Sequence, residues 1–349
     1  MRQSEGMLFT SDNWGGVHPT IMEAIADAEG GFAPAYGNDD LTLKTKALFE
    51  EVFEHEVAIA FVPTGSAANG VALALLTPPF GAVFCHESAH ILIDECGAPE
   101  FYTGGAKLIP AMGDFGKMTP ATLSAAMAPY FPIMAHRVLP STISLTQATE
   151  WGTVYTSDEV RALTDLAKSH NLRVHMDGAR FAGALRATGA TAAELTWKAG
   201  VDILCLGGTK NGCLAAEAVV VFDPSRQDEL TARCKRAGLG MSKQRFLSAQ
   251  WSAYFGGDLW TELANIAHQH CQGLADAFRA TSDCEVLVEP AINELFVRMP
   301  PSRAEALRSA GAEFYDWVQP NDAFAGEARR FVTSWETTEE QIAALQAAL

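Results

Sequence analysis

The sequence predicts an α/β protein with two parts, a large domain built around a mainly parallel β-sheet and a small C-terminal α+β domain. Short apolar runs of strand type alternate with helical patterns up to about Lys243, and this alternation is typical of a parallel sheet with helices on both faces. Beyond Lys243 a long helical stretch leads into a few shorter elements. We therefore place an N-terminal arm and the large domain in residues 1–243, and a connecting helix and the small domain in residues 244–349.

The individual elements follow from local patterns. The predicted strands of the large domain are Ile59–Val62, Ala82–Cys85, Lys107–Pro110, Thr142–Leu145, Leu172–Met176, Val201–Leu206 and Ala218–Phe222. The predicted helices among them are Leu43–Phe53, Ala67–Leu76, Ser157–Ser169, which Ser157 is expected to cap, and Thr191–Ala199. The small domain is predicted to contain helix Gln244–Phe278, strand Glu294–Arg298, helix Ser302–Ala310, strand Ala328–Ser334 and helix Glu339–Leu349.

The composition is that of an acidic globular protein. Hydrophobic residues make up 48% of the chain, and 42 acidic residues against 25 basic ones give a net charge of −17. We therefore expect neither a nucleic acid nor an anionic membrane as a partner, because both require basic surface. No apolar stretch is long enough for a signal peptide or a transmembrane helix. Seven scattered cysteines without a CxxC pair indicate reduced thiols, so a cytoplasmic location is expected.

The segment Thr64–Ala67 follows a predicted strand and opens a predicted helix. A helix start built from small residues presents free backbone N–H groups, which favour an anion such as phosphate. An ordinary capped helix is the alternative interpretation. The segment is not a Walker loop, which needs Gly-Lys-Ser/Thr, nor a hydrolase elbow, which needs a glycine two residues after Ser66.

Lys210 and Asp177 lie at the predicted carboxyl ends of two buried strands, where open α/β sheets bind their ligands. A lysine there can form a Schiff base, and a carboxylate there can pair with a pyridinium nitrogen. Together they indicate pyridoxal 5'-phosphate (PLP), which needs both groups. The spacing of 33 residues (210 − 177) accommodates one helix and one strand, so the two side chains can lie on neighbouring strand ends. A surface lysine and a helix-capping aspartate are the alternatives.

Arginines near the predicted site suggest a ligand with a carboxylate. Arg180 lies three residues beyond Asp177, and Arg329 and Arg330 occur together in a strand-like run. An arginine binds a carboxylate bidentately, as an amino-acid substrate requires. Because adjacent strand residues point to opposite faces, only one of Arg329 and Arg330 can face the site.

The segment from His86 to His90, HESAH, matches the zinc motif HExxH. On a helix it would place two histidines on one face, with Glu87 as general base. However, the apolar run before His86 predicts a strand that ends there, and this does not favour a metal site. The alternative role for His90 is an aromatic ring laid over a cofactor, and a purely structural histidine also remains open.

Taken together, these residues resemble the L-threonine aldolase family, which belongs to the β-eliminating lyase group of fold-type I, aspartate aminotransferase-like PLP enzymes. The matching motifs follow the family's order from residue 11 to residue 333. They are Ser11-Asp12-Asn13, Tyr36-Gly37, Thr64-Gly65-Ser66-Ala67-Ala68-Asn69, Ala89-His90, His175-Met176-Asp177-Gly178-Ala179-Arg180, Gly208-Thr209-Lys210-Asn211 and Arg330-Phe331-Val332-Thr333. The HMDGAR and TKNG segments are the most specific of these.

The resemblance implies a role for each matching position. Lys210 is expected to be the Schiff-base lysine, Asp177 the partner of the pyridine nitrogen, and His90 the ring stacked on the cofactor. The other expected cofactor contacts are Gly65, Ser66, Ala67, Arg180, Thr209 and Lys235, of which Lys235 would reach the phosphate of a neighbouring subunit. The expected substrate contacts are Ser11, Tyr36, Arg180 and Arg330. Family members are homodimers or homotetramers with sites at the dimer interface, so the same is expected here.

One segment departs from the family pattern. Many members carry a histidine in a Thr-His-Asn-Gly-type segment that contacts the substrate hydroxyl, whereas Glu150 stands in the corresponding stretch Thr146–Val154. This stretch is similar to low-specificity and phenylserine-type aldolases. Glu150, or a water it orders, is the leading candidate for the general base, and a supporting role behind the site is the alternative.

The expected reaction is the retro-aldol cleavage of a β-hydroxy-α-amino acid to glycine and an aldehyde. Threonine, allo-threonine and phenylserine are all candidate substrates. Three other functions remain open from the sequence. They are another PLP-dependent lyase reaction such as β-elimination, a zinc hydrolase that uses His86 and His90, and a PLP-binding protein without catalytic activity.

Overall fold

The computed structural model describes residues 6–318, 324 and 326–349. The strands in chain order are β1 (Met7–Leu8), β2 (Ala58–Val62), β3 (Gly81–His86), β4 (Lys107–Ala111), β5 (Leu139–Thr146), β6 (Arg173–Gly178), β7 (Ile203–Gly207), β8 (Glu217–Val221), β9 (Glu285–Val286), β10 (Glu294–Arg298), β11 (Ala312–Glu313), β12 (Tyr315–Asp316) and β13 (Ala328–Val332).

The α-helices lie between and after these strands. They are α1 (Pro19–Asp27), α2 (Asp40–Phe53), α3 (Gly65–Leu76), α4 (His90–Ile93), α5 (Ala98–Thr103), α6 (Pro120–Met127), α7 (Ser157–Ser169), α8 (Phe181–Thr188), α9 (Gln227–Arg236), α10 (Arg245–Phe255), α11 (Leu259–Arg279), α12 (Pro301–Ser309) and α13 (Glu339–Ala348). Among the described helices, none has both the length and the apolar character that crossing a membrane requires.

A seven-stranded sheet with the order β2-β8-β7-β6-β5-β3-β4 forms the centre of the described fold. The pairs from β7 to β4 are parallel, whereas β8 runs antiparallel to both β2 and β7. The predicted mainly parallel sheet is therefore confirmed. As a consequence, the carboxyl ends of the other six strands and the amino end of β8 all lie along one edge, where ligands of open α/β sheets bind.

Both faces of this sheet are buried. On β2, Ile59 and Phe61 point into the large hydrophobic core, while Ala58, Ala60 and Val62 point into a smaller core that includes residues of α3. This alternation follows from the two-residue period of a strand. A strand buried on both faces must be apolar at almost every position, which explains the continuous apolar runs in the sequence.

Three of the predicted helical features are wrong in detail. The helix predicted over Gln244–Phe278 is divided into α10 and α11 by a 3-10 turn at Gly256–Asp258, where Gly257 has a φ of 61° in the left-handed region. The segment Thr191–Ala199 contains turns and a short 3-10 helix at its end rather than an α-helix. The cap of α7 is Thr156 instead of Ser157, because the Thr156 hydroxyl accepts the backbone N–H of Glu159.

A second hydrophobic core lies in the C-terminal part of the chain. It joins α11 residues from Cys271 onward to the antiparallel sheet β12-β13-β10-β9, and it also takes in Met7 and Phe9 of the N-terminal arm. In contrast, α10 and the first turns of α11 pack into the large core. The domain boundary between residues 243 and 244 stays a prediction.

We predict that Trp251→Ala lowers the free energy of unfolding by about 3–5 kcal/mol, because it leaves a cavity in the large core. Trp251 is fully buried, and its ring centroid lies 5.2 Å from that of Phe49 and 5.5 Å from that of Phe255. Urea unfolding followed by circular dichroism measures the change. Phe80→Ala removes a ring that is 65% exposed and serves as the control; equal losses in the two variants would contradict the prediction.

Candidate active site

A cavity of about 290 Å³ opens at the carboxyl edge of the central sheet. It is formed by the segments that follow β2, β5, β6 and β7, together with the first residue of α4 and the first residue of β8. The structure brings eight of the predicted site residues together in its walls: Gly65, Ser66, His90, Glu150, Asp177, Arg180, Thr209 and Lys210. These residues are far apart in the sequence and meet because parallel strands end at the same edge.

The amino end of α3 forms one end of the cavity. Thr64 caps the helix, and its hydroxyl accepts the backbone N–H of Ala67 at 3.2 Å. The backbone N–H groups of Gly65 and Ser66 have no hydrogen-bond partner among the described residues. Two free donors at the positive end of a 12-residue helix favour an anion. The N–H of Ala67 is used by the cap, and the predicted cofactor contact of Ala67 stays a prediction.

Asp177 is the last residue but one of β6 and is 5% exposed. Its Oδ1 accepts the backbone N–H of Ala179 at 3.0 Å, and its Oδ2 accepts Nδ2 of Asn69 at 2.8 Å. The same Asn69 Nδ2 donates to Oε1 of Glu95 at 2.8 Å, and Oε1 of Glu95 in turn accepts Nδ1–H of His90 at 2.9 Å. A hydrogen-bonded row of four side chains therefore runs from His90 to Asp177, and both carboxylates in it are buried.

Lys210 follows β7 in a 3-10 turn, Thr209–Asn211. The turn is anchored by its neighbour Asn211, whose Nδ2 donates to Oη of Tyr254 at 2.7 Å and to the backbone oxygen of Trp260 at 2.8 Å. Gly212 ends the turn with a φ of 97°, a conformation that favours glycine. This geometry places the Lys210 side chain in the wall of the same cavity as Asp177.

Glu150 is half-buried, and its carboxyl lies between His90 and Thr146. Its Oε1 accepts the backbone N–H of His90 at 2.8 Å and the hydroxyl of Thr146 at 2.9 Å, while its Oε2 has no partner in the described part of the chain. Burial outweighs these hydrogen bonds and raises the pKa of Glu150 to about 7. A carboxyl with this pKa can take up and release a proton near neutral pH.

Arg180 is held by two acids from distant parts of the chain. Its Nε and Nη2 donate to Asp12 at 2.7 and 3.0 Å, and its Nη2 lies 3.3 Å from Oε1 of Glu294. Burial alone would raise the pKa of Asp12, but the charge and hydrogen bonds of Arg180 bring it below its usual value. Burial raises the pKa of Glu294 in spite of its arginine neighbours. Arg180 is thus already compensated by acids of its own chain.

The two adjacent arginines of β13 point in different directions, as the sequence predicts. Arg329 forms an ion pair with Asp316 at 2.9 Å, whereas Nη1 of Arg330 lies 3.8 Å from Glu294, close to Arg180. The guanidinium of Arg330 also stacks on Trp317, 4.9 Å from the ring centroid. Arg330 therefore lies behind Arg180, although it does not line the described cavity.

Three other predicted residues lie outside the cavity walls. Ser11 caps the 3-10 helix Asp12–Trp14 and accepts the backbone N–H of Asn13 at 3.2 Å. Tyr36 and Lys235 are exposed, and Nζ of Lys235 lies 4.5 Å from the centroid of the Tyr36 ring. Within a single chain, none of the three is brought to Lys210.

The geometry does not support the zinc alternative. His86 ends β3, whereas His90 begins α4, so they do not share a helix. Nδ1 of His86 accepts the backbone N–H of Ser88 at 3.0 Å, and its Nε2 faces the backbone oxygen of Gly113 at 3.0 Å. Both ring nitrogens are therefore engaged. The residues described by the structure contain no cluster of three or more His, Cys, Asp or Glu suited to a metal ion.

Sequence reasoning missed five polar residues of the site: Asp12, Asn69, Glu95, Glu217 and Glu294. Asp12 and Asn69 belong to the motifs Ser11-Asp12-Asn13 and Thr64-Gly65-Ser66-Ala67-Ala68-Asn69, so these motifs could have identified both as site residues. Glu95 and Glu294 carry no such signal. Glu217 is the first residue of an apolar strand, but the sequence pattern does not show whether this strand runs parallel or antiparallel to its neighbours.

The residues present fit PLP at each of its polar features. The start of α3 offers free N–H groups to the phosphate, and the buried Asp177 offers a carboxylate to the ring nitrogen. The His90 side chain is 41% exposed in the cavity wall, and Lys210 offers an amine. Comparison with known proteins decides the family.

A sequence model of the family described as beta-eliminating lyase matches residues 9–299. The chain belongs to the beta-eliminating lyase family. The low specificity L-threonine aldolase of Pseudomonas aeruginosa is 39% identical to it over 334 residues, which are 96% of this chain and 94% of that protein. The structure of Leishmania major threonine aldolase superposes with a TM-score of 0.89 at 25% identity and covers 98% of both chains.

The membership confirms the predicted threonine aldolase family and the fold-type I class. An aspartate aminotransferase from Rhodobacter sphaeroides shares the fold, with a TM-score of 0.72 at 15% identity over 99% of this chain and 91% of that one. PLP is the cofactor of this family, so the predicted cofactor and the lyase class are confirmed as well.

We predict that Glu95→Gln lowers the pKa of His90 toward its ordinary value. The hydrogen bond to Glu95 raises the pKa of His90, against the effect of burial. The stabilisation from this pair should be fully present below the ordinary pKa of histidine, and it should vanish as the pH rises through the raised pKa. An NMR titration of the His90 imidazole measures the shift. Asp94→Asn, at an exposed neighbour, is the control, and an unshifted His90 in Glu95→Gln would refute the assignment.

Proposed function

We propose that this protein is a PLP-dependent aldolase that cleaves a β-hydroxy-α-amino acid of the threonine, allo-threonine or phenylserine type to glycine and an aldehyde. The observation that carries the proposal is the single cavity in which Lys210, Asp177, His90 and Glu150 lie together. The similarity to L-threonine aldolases over almost the whole chain supports the same reaction.

Different parts of the cavity would bind different parts of the cofactor. The N–H groups of Gly65 and Ser66 would hold the cofactor phosphate, Asp177 would hold the ring nitrogen, and His90 would lie beside the ring. When bound, PLP would supply an electron sink for the bond that breaks. Asp177 would keep the ring nitrogen charged, and the amide of Asn69 fixes the orientation of that carboxylate at 2.8 Å.

Glu150 removes the proton of the substrate's β-hydroxyl group. Its Oε1 is occupied by His90 and Thr146, so Oε2 is the oxygen that accepts the proton. A pKa of about 7 suits this role, because a general base works best when its pKa lies near the working pH. With the hydroxyl deprotonated, the Cα–Cβ bond can break and release the aldehyde.

Arg180, Arg330 and Ser11 bind the substrate carboxylate. Arg180 lines the cavity and uses Nε and Nη2 on Asp12, which leaves Nη1 for a ligand. Arg330 uses Nη2 on the backbone oxygen of Thr10 and lies near the same Glu294 as Arg180. A fixed carboxylate also fixes the orientation of the Cα–Cβ bond, which lowers the entropic cost of the reaction.

The active assembly is a homodimer or homotetramer with sites at the dimer interface. Tyr36 and Lys235 are exposed and lie outside the cavity of their own chain. This supports a role for both in the site of the neighbouring subunit, with Lys235 near the phosphate. The scattered, unpaired cysteines support a cytoplasmic enzyme of amino-acid metabolism.

We predict that Lys210→Ala abolishes the visible absorbance of the purified protein and lowers turnover by several orders of magnitude, since the amine that binds the cofactor is removed. Lys107→Ala, at an exposed position on the opposite edge of the sheet, should keep both properties. Glycine and an aldehyde are the expected products from threonine and phenylserine. Retention of colour and turnover in Lys210→Ala would refute the site, and pyruvate in place of glycine would indicate β-elimination.

We predict that kcat of the wild-type enzyme rises about tenfold per pH unit below about pH 7 and levels off above it, because the base must be ionised. Glu150→Gln should lose this dependence and about 10²–10⁴-fold of the rate. Steady-state kinetics across pH provides the measurement. Glu51→Gln on the exposed face of α2 controls for a general charge effect. A pH profile that is the same in Glu150→Gln and wild type would exclude Glu150 as the base.

A further inference from the structure

Glu217 is a buried acid at the anion-binding end of the cavity. It opens β8, and its Cα pairs with Val62 at the end of β2 and with Gly207 at the end of β7. Because β8 is antiparallel to both, the side chain lies at the edge where their carboxyl ends meet. Glu217 is 7% exposed and lines the cavity together with the free N–H groups of α3.

The surroundings of the carboxyl are small and polar. Oε2 of Glu217 lies 3.9 Å from the position that a Cβ on Gly65 would occupy, and 3.0 Å from the corresponding position at Gly207. Thr209 lies near the carboxyl and lowers its pKa, against the effect of burial. Among the described residues, Glu217 forms no ion pair within 4.0 Å. Glu217, an acid without a cation partner, therefore lies beside the anion-binding start of α3.

An ionised carboxylate at this position would repel a phosphate, whereas a protonated carboxyl could donate a hydrogen bond to it. Burial raises the pKa of Glu217 to about 7 even with Thr209 and Lys210 nearby. A phosphate at the start of α3 would raise that pKa further, because a like charge disfavours ionisation. The neutral form is thus the form compatible with a bound cofactor.

We propose that Glu217 binds the PLP phosphate as a neutral carboxylic acid, donating its proton in a hydrogen bond to a phosphate oxygen. The inference rests on the proposed function, because it requires PLP in this cavity. It assigns Glu217 a binding role in which the proton is shared but no covalent bond is made or broken.

Among the titratable groups around Glu217, Glu217 itself is the one whose protonation state changes near neutral pH. Lys210 faces it with a positive charge and Asp177 with a negative one. The remaining neighbours are Cys205, Cys213 and Tyr254, and burial raises the pKa of each well above its ordinary value. These three groups are therefore neutral over the pH range in which Glu217 titrates.

The test uses pyridoxamine 5'-phosphate, which carries the phosphate but cannot bond to Lys210. Its dissociation constant is measured by calorimetry with the full-length chain freed of PLP, for wild type and Glu217→Gln, between about pH 6 and about pH 9. Ionisation of the ligand is common to both proteins and cancels in the ratio of the two constants. Above about pH 7 the wild-type constant should rise relative to that of Glu217→Gln by about tenfold per pH unit. Pyridoxamine without the phosphate is the matched control and should show no such change.

A second measurement does not depend on the variant's ability to fold. At neutral pH the infrared spectrum of the wild-type protein should gain intensity in the band of protonated, buried carboxyls when PLP binds. In Glu217→Gln, where Glu150 and Glu294 still contribute to that band, this gain should be absent. Equal pH dependence in the two proteins, or an ionised Glu217 in the holoenzyme, would overturn this inference alone. A wild-type chain that binds neither PLP nor pyridoxamine 5'-phosphate would overturn the proposed function with it.

Discussion

The active site contains an excess of carboxyl groups, and its structure depends on how cations and hydrogen bonds compensate their charges. Six carboxyl groups lie in or directly behind the cavity: Asp12, Glu95, Asp177, Glu217 and Glu294, which are buried, and Glu150, which is half-buried. A buried carboxylate is costly unless a charge or a hydrogen bond compensates it. Asp12 is compensated by Arg180, and Glu95 and Asp177 share the amide of Asn69. Glu150, Glu217 and Glu294 lack such full compensation, and burial raises the pKa of each of them.

This distribution divides the acids by function. Acids with strong donors stay ionised and fix positive partners, as Asp12 does with Arg180. Acids whose donors are weak or few can change protonation state, which is the property that proton transfer requires. Glu150 combines one fixed oxygen with one free oxygen, so its orientation is set without satisfying its charge. In the same low-polarity surroundings, some carboxyl groups therefore hold a positive partner and others can transfer a proton.

The sequence predicted the parts of the fold that follow from local pattern. Strand runs buried on both faces and the TKNG and HMDGAR segments at their ends could be located without coordinates. Partners that depend on distant chain segments could not be found in this way. Asp12 meets Arg180 across 168 residues, and the role of Glu217 depends on the antiparallel direction of β8, which its apolar pattern does not encode. The break at Gly256–Asp258 was missed although Gly-Gly-Asp is a local turn signal, because helical patterns on both sides suggested one continuous helix.

The N-terminal arm also has a consequence for how the protein is made on the ribosome. β1 pairs with β11 through Met7 and Ala312, and Phe9 bonds to the backbone of Glu313 and Val332. Asp12 precedes Arg180 in the chain, whereas β11 and β13, which hold the segment of Asp12, follow Arg180. Arg180 is therefore synthesised before the strands that bring its main counter-charge to it, so a chain truncated before β11 carries an unneutralised guanidinium at the mouth of the site. Synthesis of β11 and β13 thus acts as a late assembly step for a group encoded much earlier in the chain.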